Sequence, residues 1–282
     1  MKKLQIALIT LLFFTFSAFA FDKNDINPKG SLTSYTKTDY NIVSQFGNTY
    51  RYPSVKYEHI FDENNREVES ACYNAKNVLV DRITYQYNSK GRVQESRFYN
   101  SSNVLVWKNT FEYDESGRVL AESEFNANNE LIGKTIYEYT AKDKTSRTTE
   151  SYYNGQGALL YRNISLTNEN NQGITVNRYF GDGSLDQTEQ RVYSENGYLQ
   201  QSQIQKNDGK PSTKTVYLYD AHNFLIEIQT YNQQGILYKR ELYKNDSNGN
   251  PTTISTYTVA AKFGSITAEL QSQSTFVYEY RK

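Results

Sequence analysis

A repeat of 26 residues constrains the fold of this chain more than any other sequence feature. Three series of positions recur at this interval, and all three share one insertion of two residues near positions 142–146. The series are Phe61, Tyr87, Tyr113, Tyr139, Thr167, Tyr193, Tyr219 and Asn245; Tyr73, Tyr99, Phe125, Tyr153, Tyr179, Gln205, Tyr231 and Tyr257; and Leu79, Leu105, Leu131, Leu159, Leu185, Pro211, Leu237 and Phe263. A shared period with a shared insertion indicates one structural unit in tandem.

Each repeat contains two turn signals, such as "YDESG" at 113–117 and "YNSSN" at 99–103. The Asp or Asn at the first turn position can accept a hydrogen bond from the backbone two residues later. The Gly or Asn three residues further on tolerates the left-handed conformation that follows a type I turn. Two such turns leave two strands of about nine residues in each repeat.

Between the turns, residue character alternates with a period of two. One face of residues 105–113 carries Leu105, Trp107, Asn109, Phe111 and Tyr113, and the other carries Val106, Lys108, Thr110 and Glu112. This pattern is typical of a sheet with one buried side. The facing of the partner strands, such as 119–125, stays open. We therefore predict an all-β fold, an antiparallel meander of about eight hairpin repeats in one curled or spiralling sheet, with neighbouring units stacked on each other.

Four segments are predicted. Residues 1–20 have a Lys-led start, an apolar run and a final Ala18-Phe19-Ala20, as in a secretory signal peptide. Residues 21–56 lack the repeat and are expected to form an irregular cap, residues 57–262 form the array, and residues 263–282 form a capping strand. The signal predicts export to the periplasm, the cell envelope or the medium. No later apolar run is long enough for a transmembrane helix.

The charge balance argues against a nucleic-acid partner. The chain has 31 basic and 31 acidic residues, and loss of Lys2 and Lys3 with the signal peptide leaves a net charge of −2. Binding to nucleic acid needs a concentrated basic surface. The single cysteine, Cys72, excludes a disulfide within the chain.

The repeats "YQYNSKGRV" (85–93), "FEYDESGRV" (111–119) and "YLYDAHNFL" (217–225) resemble the YD repeat of RHS-type bacterial proteins. The alternate turns, such as "YYNGQGALL" (152–160), are similar to MORN-like repeats, the second choice. The first resemblance implies hairpins coiled into a long spiralling sheet, which in large members forms a hollow shell around a toxin segment. About eight units are too few for such a shell, so the resemblance implies a small envelope or secreted interaction module.

No catalytic, cofactor-binding or metal-binding motif is present in the sequence. The two histidines, His59 and His222, lie in unrelated repeats, and the carboxylates cluster where turns are expected. The chain is therefore predicted to have no enzymatic activity, no cofactor and no metal site.

Regular spacing favours a non-enzymatic binding or structural module that recognises a carbohydrate or a protein surface. Its predicted partners are a cell-surface polysaccharide or another envelope or secreted protein. The candidate ligand-binding aromatic residues are Tyr85, Tyr87, Trp107, Phe111, Tyr113, Tyr137, Tyr139, Tyr217 and Tyr219.

Two alternatives remain open. An outer-membrane β-barrel fits the signal peptide, the strand length and the roughly sixteen strands of eight hairpins. Charged residues on the polar faces, and Asp81 and Asn109 on the apolar faces, argue against it. An envelope-associated hydrolase is the second alternative, because paired carboxylates across a cleft could cleave glycosidic bonds.

Overall fold

The structure, a computed structural model, describes residues 26–142, 145–170, 172–207, 212–262 and 265–281. The predicted signal peptide at 1–20 lies outside these residues. None of the described elements is a helix that is long and apolar enough to cross a membrane. The described strands are β1 (Leu32–Gln45), β2 (Asn48–Phe61), β3 (Glu67–Asn74), β4 (Leu79–Tyr87), β5 (Val93–Asn100), β6 (Leu105–Tyr113), β7 (Val119–Asn126), β8 (Leu131–Lys142), β9 (Thr145–Asn154), β10 (Leu159–Thr167), β11 (Gly173–Phe180), β12 (Leu185–Tyr193), β13 (Leu199–Lys206), β14 (Thr213–Tyr219), β15 (Leu225–Tyr231), β16 (Leu237–Asn245), β17 (Pro251–Lys262) and β18 (Ser265–Tyr280).

These 18 strands form one closed barrel. Each strand pairs antiparallel with its neighbours in the chain, and β1 pairs with both β2 and β18. The predicted all-β antiparallel meander is confirmed. The predicted open, curled or spiralling sheet is wrong, because the last strand returns to the free edge of the first. Pairing of β18 with β1 satisfies the backbone groups that an open sheet would expose at its two edges.

The turns follow the predicted chemistry. The Asn100 side-chain Oδ1 accepts hydrogen bonds from the backbone N–H groups of Ser102 (3.0 Å) and Val104 (3.1 Å). Asn103 then adopts a left-handed φ of 60°, the region that Asn tolerates better than most residues. In the equivalent turn at the other end of the barrel, hydrogen bonds from Ser116 and Arg118 hold the pKa of the Asp114 carboxyl well below its usual range.

A β-bulge follows almost every turn. Glu112 pairs with Ala121, but the next residue, Tyr113, pairs with Val119, so Leu120 is an extra residue opposite the partner strand. The same slip recurs at most of the other described hairpins. Bulges increase the local twist and bend a strand. The repeated bulge therefore curls the sheet. It also places the residues that follow it in the strand on the face opposite to the one that strict alternation predicts.

The face that carries the first series of aromatic residues lines the lumen. Side chains converge on the concave side of a curved sheet and diverge on the convex side. Tyr85 and Tyr137 on this face are 8% and 5% exposed, whereas Val80 and Ile132 on the other face are 42% and 41% exposed. Barrel diameter grows with the number of strands, and side chains can fill the interior of a barrel of about eight strands. The convex face is called the outer face below.

A cluster of buried apolar residues lies where the barrel closes. Leu32 and Tyr35 of β1 pack there with Phe61 of β2 and Phe276 of β18. The Tyr35 ring stacks on His59 with 4.2 Å between ring centroids. The predicted cap at 21–56 thus contains β1 and the first part of β2. The segment boundaries stay predictions.

Four strands extend past one end of the barrel. β2 pairs with β3 only from Val55 onward, although β2 begins at Asn48 and pairs with β1 over its whole length. β17 and β18 likewise pair out to Lys262 and Ser265. Phe46, at the tip of the β1–β2 hairpin, is fully exposed. These strands form a wall on one side of the barrel mouth.

A belt of cation–aromatic pairs circles most of the outer face, and it is called the cation–aromatic belt below. Its cross-strand pairs are Lys56 with Tyr73, Arg82 with Tyr99, Lys108 with Phe125, Lys134 with Tyr153, Arg162 with Tyr179, Lys214 with Tyr231, and Arg240 with Tyr257. The Lys56 Nζ lies 4.3 Å from the Tyr73 ring centroid, and the Arg82 Cζ lies 4.7 Å from that of Tyr99. At the remaining equivalent position, Thr188 pairs with Gln205, so that neutral polar residues replace both the cation and the aromatic ring.

Tyr35→Ala should destabilise the barrel by about 3–5 kcal/mol, the usual cost of deleting a buried aromatic side chain. Tyr35 is 1% exposed in the cluster at the closure. Phe46→Ala, at a fully exposed aromatic position, should leave the free energy of unfolding unchanged within about 0.5 kcal/mol. Equilibrium unfolding in denaturant, followed by circular dichroism, measures both. Equal effects would contradict the assigned packing at the closure.

Installing the missing belt pair should stabilise the barrel. In a double-mutant cycle, Thr188→Lys and Gln205→Tyr together should gain about 0.5–1 kcal/mol more than the sum of the two single variants, the usual value of an exposed cation–π contact. The single variants are the controls, because each supplies only one partner. A coupling energy of zero would show that the belt pairs share a position without attracting each other.

Candidate functional site

The inner wall of the barrel carries the candidate site. All nine aromatic residues predicted as ligand contacts project from the lumen face, and they divide into two groups by their hydrogen bonds. The hydroxyl groups of the first group donate hydrogen bonds to backbone carbonyls. The aromatic rings of the second group lie along the inner wall.

The first group forms what we call the tyrosine latches. The Tyr87, Tyr113 and Tyr139 hydroxyls donate to the backbone carbonyls of Glu67 (2.5 Å), Val93 (2.6 Å) and Val119 (2.8 Å). Tyr193 and Tyr219 repeat the contact with Gly173 and Leu199. Two of the three other residues in the series also donate: the Asn245 side-chain amide donates to Leu225 O, and the Thr167 hydroxyl donates to Ser146 O. Phe61, the first residue of the series, has no side-chain donor. Each latch ties the end of a strand to the start of the strand that directly precedes it in the chain.

The second group stands along the wall. Tyr85 and Tyr137 are buried, and Trp107 stacks on Phe98 with 5.1 Å between ring centroids and nearly parallel planes. Phe111 and Tyr217 are half-buried on the same face. A ligand-binding role for the nine residues stays a prediction, and the latch hydroxyls are already engaged.

Three glutamates lie close together on this wall, and we call them the lumen carboxylates. Glu122 and Glu124 lie on β7, and Glu150 lies two strands away on β9. The Asn109 side-chain amide on β6 donates a hydrogen bond to Glu122 Oε1 at 2.6 Å. On the far side, the Asn163 amide of β10 donates to Glu150 Oε2 at 3.2 Å. An asparagine therefore flanks the carboxylates on each side.

Aromatic rings border the same patch. Tyr152 of β9 stacks on Tyr161 of β10 with 5.0 Å between ring centroids. The Tyr152 hydroxyl lies over Gly133, where a Cβ would meet it at 2.6 Å, so any larger residue at 133 would displace the hydroxyl. Gly133 is the cross-strand partner of Glu124. The Phe98–Trp107 stack lies on β5 and β6, on the other side of the carboxylates.

The lumen carboxylates differ from the carboxylates of the outer face in their partners. Outside, Glu69 pairs with Arg82, Glu95 with Lys108 and Glu227 with Arg240. Among the described residues, no lysine or arginine forms an ion pair with Glu122, Glu124 or Glu150, and the hydrogen-bond partners of Glu122 and Glu150 are side-chain amides. The nearest basic side chain along the row, Arg178, is a cross-strand partner of Asn163, lies over the Tyr161 ring and pairs with Asp186.

Sequence alternation missed the lumen carboxylates because of the bulge. Strict alternation places 119, 121, 123 and 125 on one face, yet the extra residue at Leu120 puts Val119 with Glu122 and Glu124 in the lumen. The doublet of apolar residues directly after the turn, Val119-Leu120, is the signal that could have located the slip. Asn109, noted in the sequence as an interruption of an apolar face, is the residue that contacts Glu122.

The chemistry of this patch is that of hydrogen-bond acceptance and negative charge. In the part of the chain that the structure describes, no group of three His, Cys, Asp or Glu side chains is arranged to hold a metal ion. Cys72, a free thiol on the lumen face, is half-buried. Enzymatic inactivity stays a prediction.

Tyr113→Phe should destabilise the barrel by about 1–1.5 kcal/mol, because it removes the latch hydrogen bond and leaves Val93 O without that donor. Tyr179→Phe, at an outer-face tyrosine of the belt, is the matched control and should change the free energy of unfolding by less than about 0.5 kcal/mol. Denaturant unfolding of both purified variants gives the comparison. A control as damaging as the latch variant would refute the role of the hydroxyl.

Several solved structures are similar to this chain. A porin-like protein from Bacteroides uniformis has 8% identity, a TM-score of 0.48 and coverage of 89% of this chain and 99% of its own. A porin-like protein from Bacteroides vulgatus has 13% identity, a TM-score of 0.31 and coverage of 89% and 99%. A LolA superfamily protein from Nitrosomonas europaea has 11% identity, a TM-score of 0.27 and coverage of 90% and 88%.

These findings correct two predictions. The role as a repeat module that recognises a carbohydrate or protein on an extended face is wrong, because the sheet closes on itself. The resemblance to RHS-type YD repeats, and the second choice of MORN-like repeats, is also wrong, because the family model that matches this chain is described as "uncharacterised protein".

No curated protein matches the sequence. The matching family model is described as "uncharacterised protein" and aligns with residues 17–162, which are 146 of the 282 residues. Since the match spans more than half of the sequence, the chain belongs to this uncharacterised protein family.

Proposed function

We propose that this chain is a porin-like β-barrel of the bacterial outer membrane, and that its lumen is the part that meets solutes. The observation that carries the proposal is the pairing of β18 with β1, which closes 18 strands around a lumen. Closed barrels are the only β-structures that can span a lipid bilayer, because they leave no unpaired edge. An even number of antiparallel strands is usual in such proteins. Longer loops at one end are usual too, whereas the hairpin turns described in this chain are short at both ends.

The lumen wall supports this proposal. Asp81 and Asn109 interrupt the apolar face of their strands, which would be unfavourable if that face formed a core. In the closed barrel, both residues face the lumen. Outer-membrane barrels tolerate polar residues there, because the lumen is wet. The secretory signal expected at residues 1–20 supports the envelope as the location.

One end of the outer face supports contact with a membrane interface. Exposed apolar side chains at the bulges, such as Val80, Val106 and Leu160, lie next to the aromatic residues of the belt. Aromatic rings and cationic side chains favour the interface between lipid and water. The belt therefore suits the level of the headgroups.

The middle of the outer face favours a second candidate, a barrel that stands in the aqueous part of the envelope. Thr110 pairs there with Ser123, and Gln190 pairs with Gln203, in place of the aliphatic residues expected against lipid. Arg97 also lies on this face, opposite Thr84. An Arg or Lys held at the bilayer midplane costs about 2–4 kcal/mol.

Fractionation and conductance separate the two candidates. A spanning barrel should sediment with outer membranes, resist a carbonate wash and, after purification in detergent, give stepwise conductance in a planar bilayer. A barrel of the aqueous compartment should appear in the wash and give no conductance, and that result would overturn the proposal.

A matched pair of variants tests the lumen itself. Thr135→Arg adds a cation beside Glu122 on the lumen face, and Thr110→Arg adds the same cation on the outer face. The lumen variant should shift the reversal potential, measured under a salt gradient, in the direction of greater anion selectivity, because charges in the lumen tune ion selectivity. The outer-face variant should leave the reversal potential of inserted channels unchanged.

A further inference from the structure

We propose that the lumen carboxylates and Asn109 form a binding site for an organic ammonium ion, with the neighbouring aromatic stacks as its apolar walls. This inference deepens the proposed function and rests on it in one respect, since the lumen must admit solutes. Three features of the site support it: charge, an unused acceptor and shape.

The first feature is charge. Glu122, Glu124 and Glu150 share one patch of wall without a basic partner among the described residues, whereas Glu69, Glu95 and Glu227 on the outer face each have one. Glu122 is 7% exposed, and a buried carboxylate is costly unless a counter-charge accompanies it. Arg178, the nearest base along the row, is engaged with Tyr161 and Asp186. Burial raises the pKa of the Glu122 carboxyl to about 7, and a cation bound from solution would favour its ionised form.

The second feature is an acceptor without a donor. Asn109 is 8% exposed, and its amide nitrogen contacts Glu122, so the side chain lies among the carboxylates. Its Oδ1 is buried and has no hydrogen-bond partner. Buried polar atoms of folded proteins nearly always have a partner, and an orphan acceptor calls for a donor from outside the chain. An ammonium group supplies three N–H donors and the missing positive charge together.

The third feature is shape. The Phe98–Trp107 stack borders the patch on one side, and the Tyr152–Tyr161 stack borders it on the other. Ring faces attract cations and also cover the methylene groups of an organic amine. A bare metal ion fits less well, because the described residues contain no cluster of three His, Cys, Asp or Glu side chains arranged as metal ligands. The chemistry therefore favours an aliphatic or aromatic amine.

The test uses the purified full-length protein in detergent, with putrescine as the probe. Trp107 is the single tryptophan of the chain and lies beside the site, so its fluorescence reports binding directly. Isothermal titration calorimetry gives an independent measure. Putrescine should bind saturably at millimolar or lower concentration, whereas 1,4-butanediol, its neutral isostere, and sodium chloride at equal ionic strength should not. Absence of saturable putrescine binding, or equal binding of the diol, would overturn the proposal.

Variants locate the site. The double variant Glu122→Gln with Glu124→Gln should weaken putrescine binding at least tenfold. Glu150→Gln, which removes the carboxylate on the other side of the patch, should also weaken putrescine binding. The matched control, Glu112→Gln with Glu138→Gln, removes two carboxylates from the outer face of the adjoining strands and should leave the dissociation constant within twofold. Circular dichroism confirms that each variant folds. Unchanged binding in both lumen variants would refute the site.

The two proposals can fail separately. Binding is measured on purified protein without a bilayer, so a barrel from the aqueous compartment could bind putrescine and conduct nothing. A conducting barrel that ignores putrescine would retain the proposed function and lose the amine site.

Discussion

The hydrogen-bond ladder between β1 and β18 joins residues at opposite ends of the described chain, from Leu32 with Tyr280 to Asn41 with Ser272. Every other strand pairing connects neighbours in sequence and would be possible in an open ribbon. This one ladder removes both free edges, which would otherwise invite pairing with other chains. It also creates an inside and an outside, and thereby gives the alternating faces of all other strands their separate roles. The apolar cluster of Tyr35 and Phe276 packs along this same ladder.

A second local feature, the bulge after each turn, shapes what the closed sheet can do. It curls the strands and changes which residues of β7 reach the lumen, so that Glu122 and Glu124 point inward while Ala121 and Ser123 point outward. The latches and the cation–aromatic belt follow the same repeat on the two faces. Variation within the repeats respects these contacts: Asn245 replaces a tyrosine and still donates to a carbonyl, and Thr188 and Gln205 lose a cation and a ring as a pair.

The sequence was sufficient for the strands, the turns and the buried face, because periodicity of two and turn residues such as Asn100 and Gly117 act locally. Closure could not be predicted from it, because closure depends on the accumulated curl and the number of strands. The β1–β2 hairpin was missed since its residues lack the aromatic repeat. The lumen carboxylates were missed for a third reason: a single inserted residue at Leu120 reverses the facing of β7, and alternation alone cannot register that reversal.

The repeat also fixes how the lumen can change in size. Each repeat contributes one hairpin to the ring, and neighbouring strands are about 4.8 Å apart. Gain or loss of one complete unit would alter the circumference by about 10 Å and preserve the inward and outward faces of all other strands. Duplication or deletion of whole units can therefore change the width of the lumen in regular steps. Loss of half a unit would leave the final strand parallel to the first, so that the two could not pair in the same antiparallel pattern.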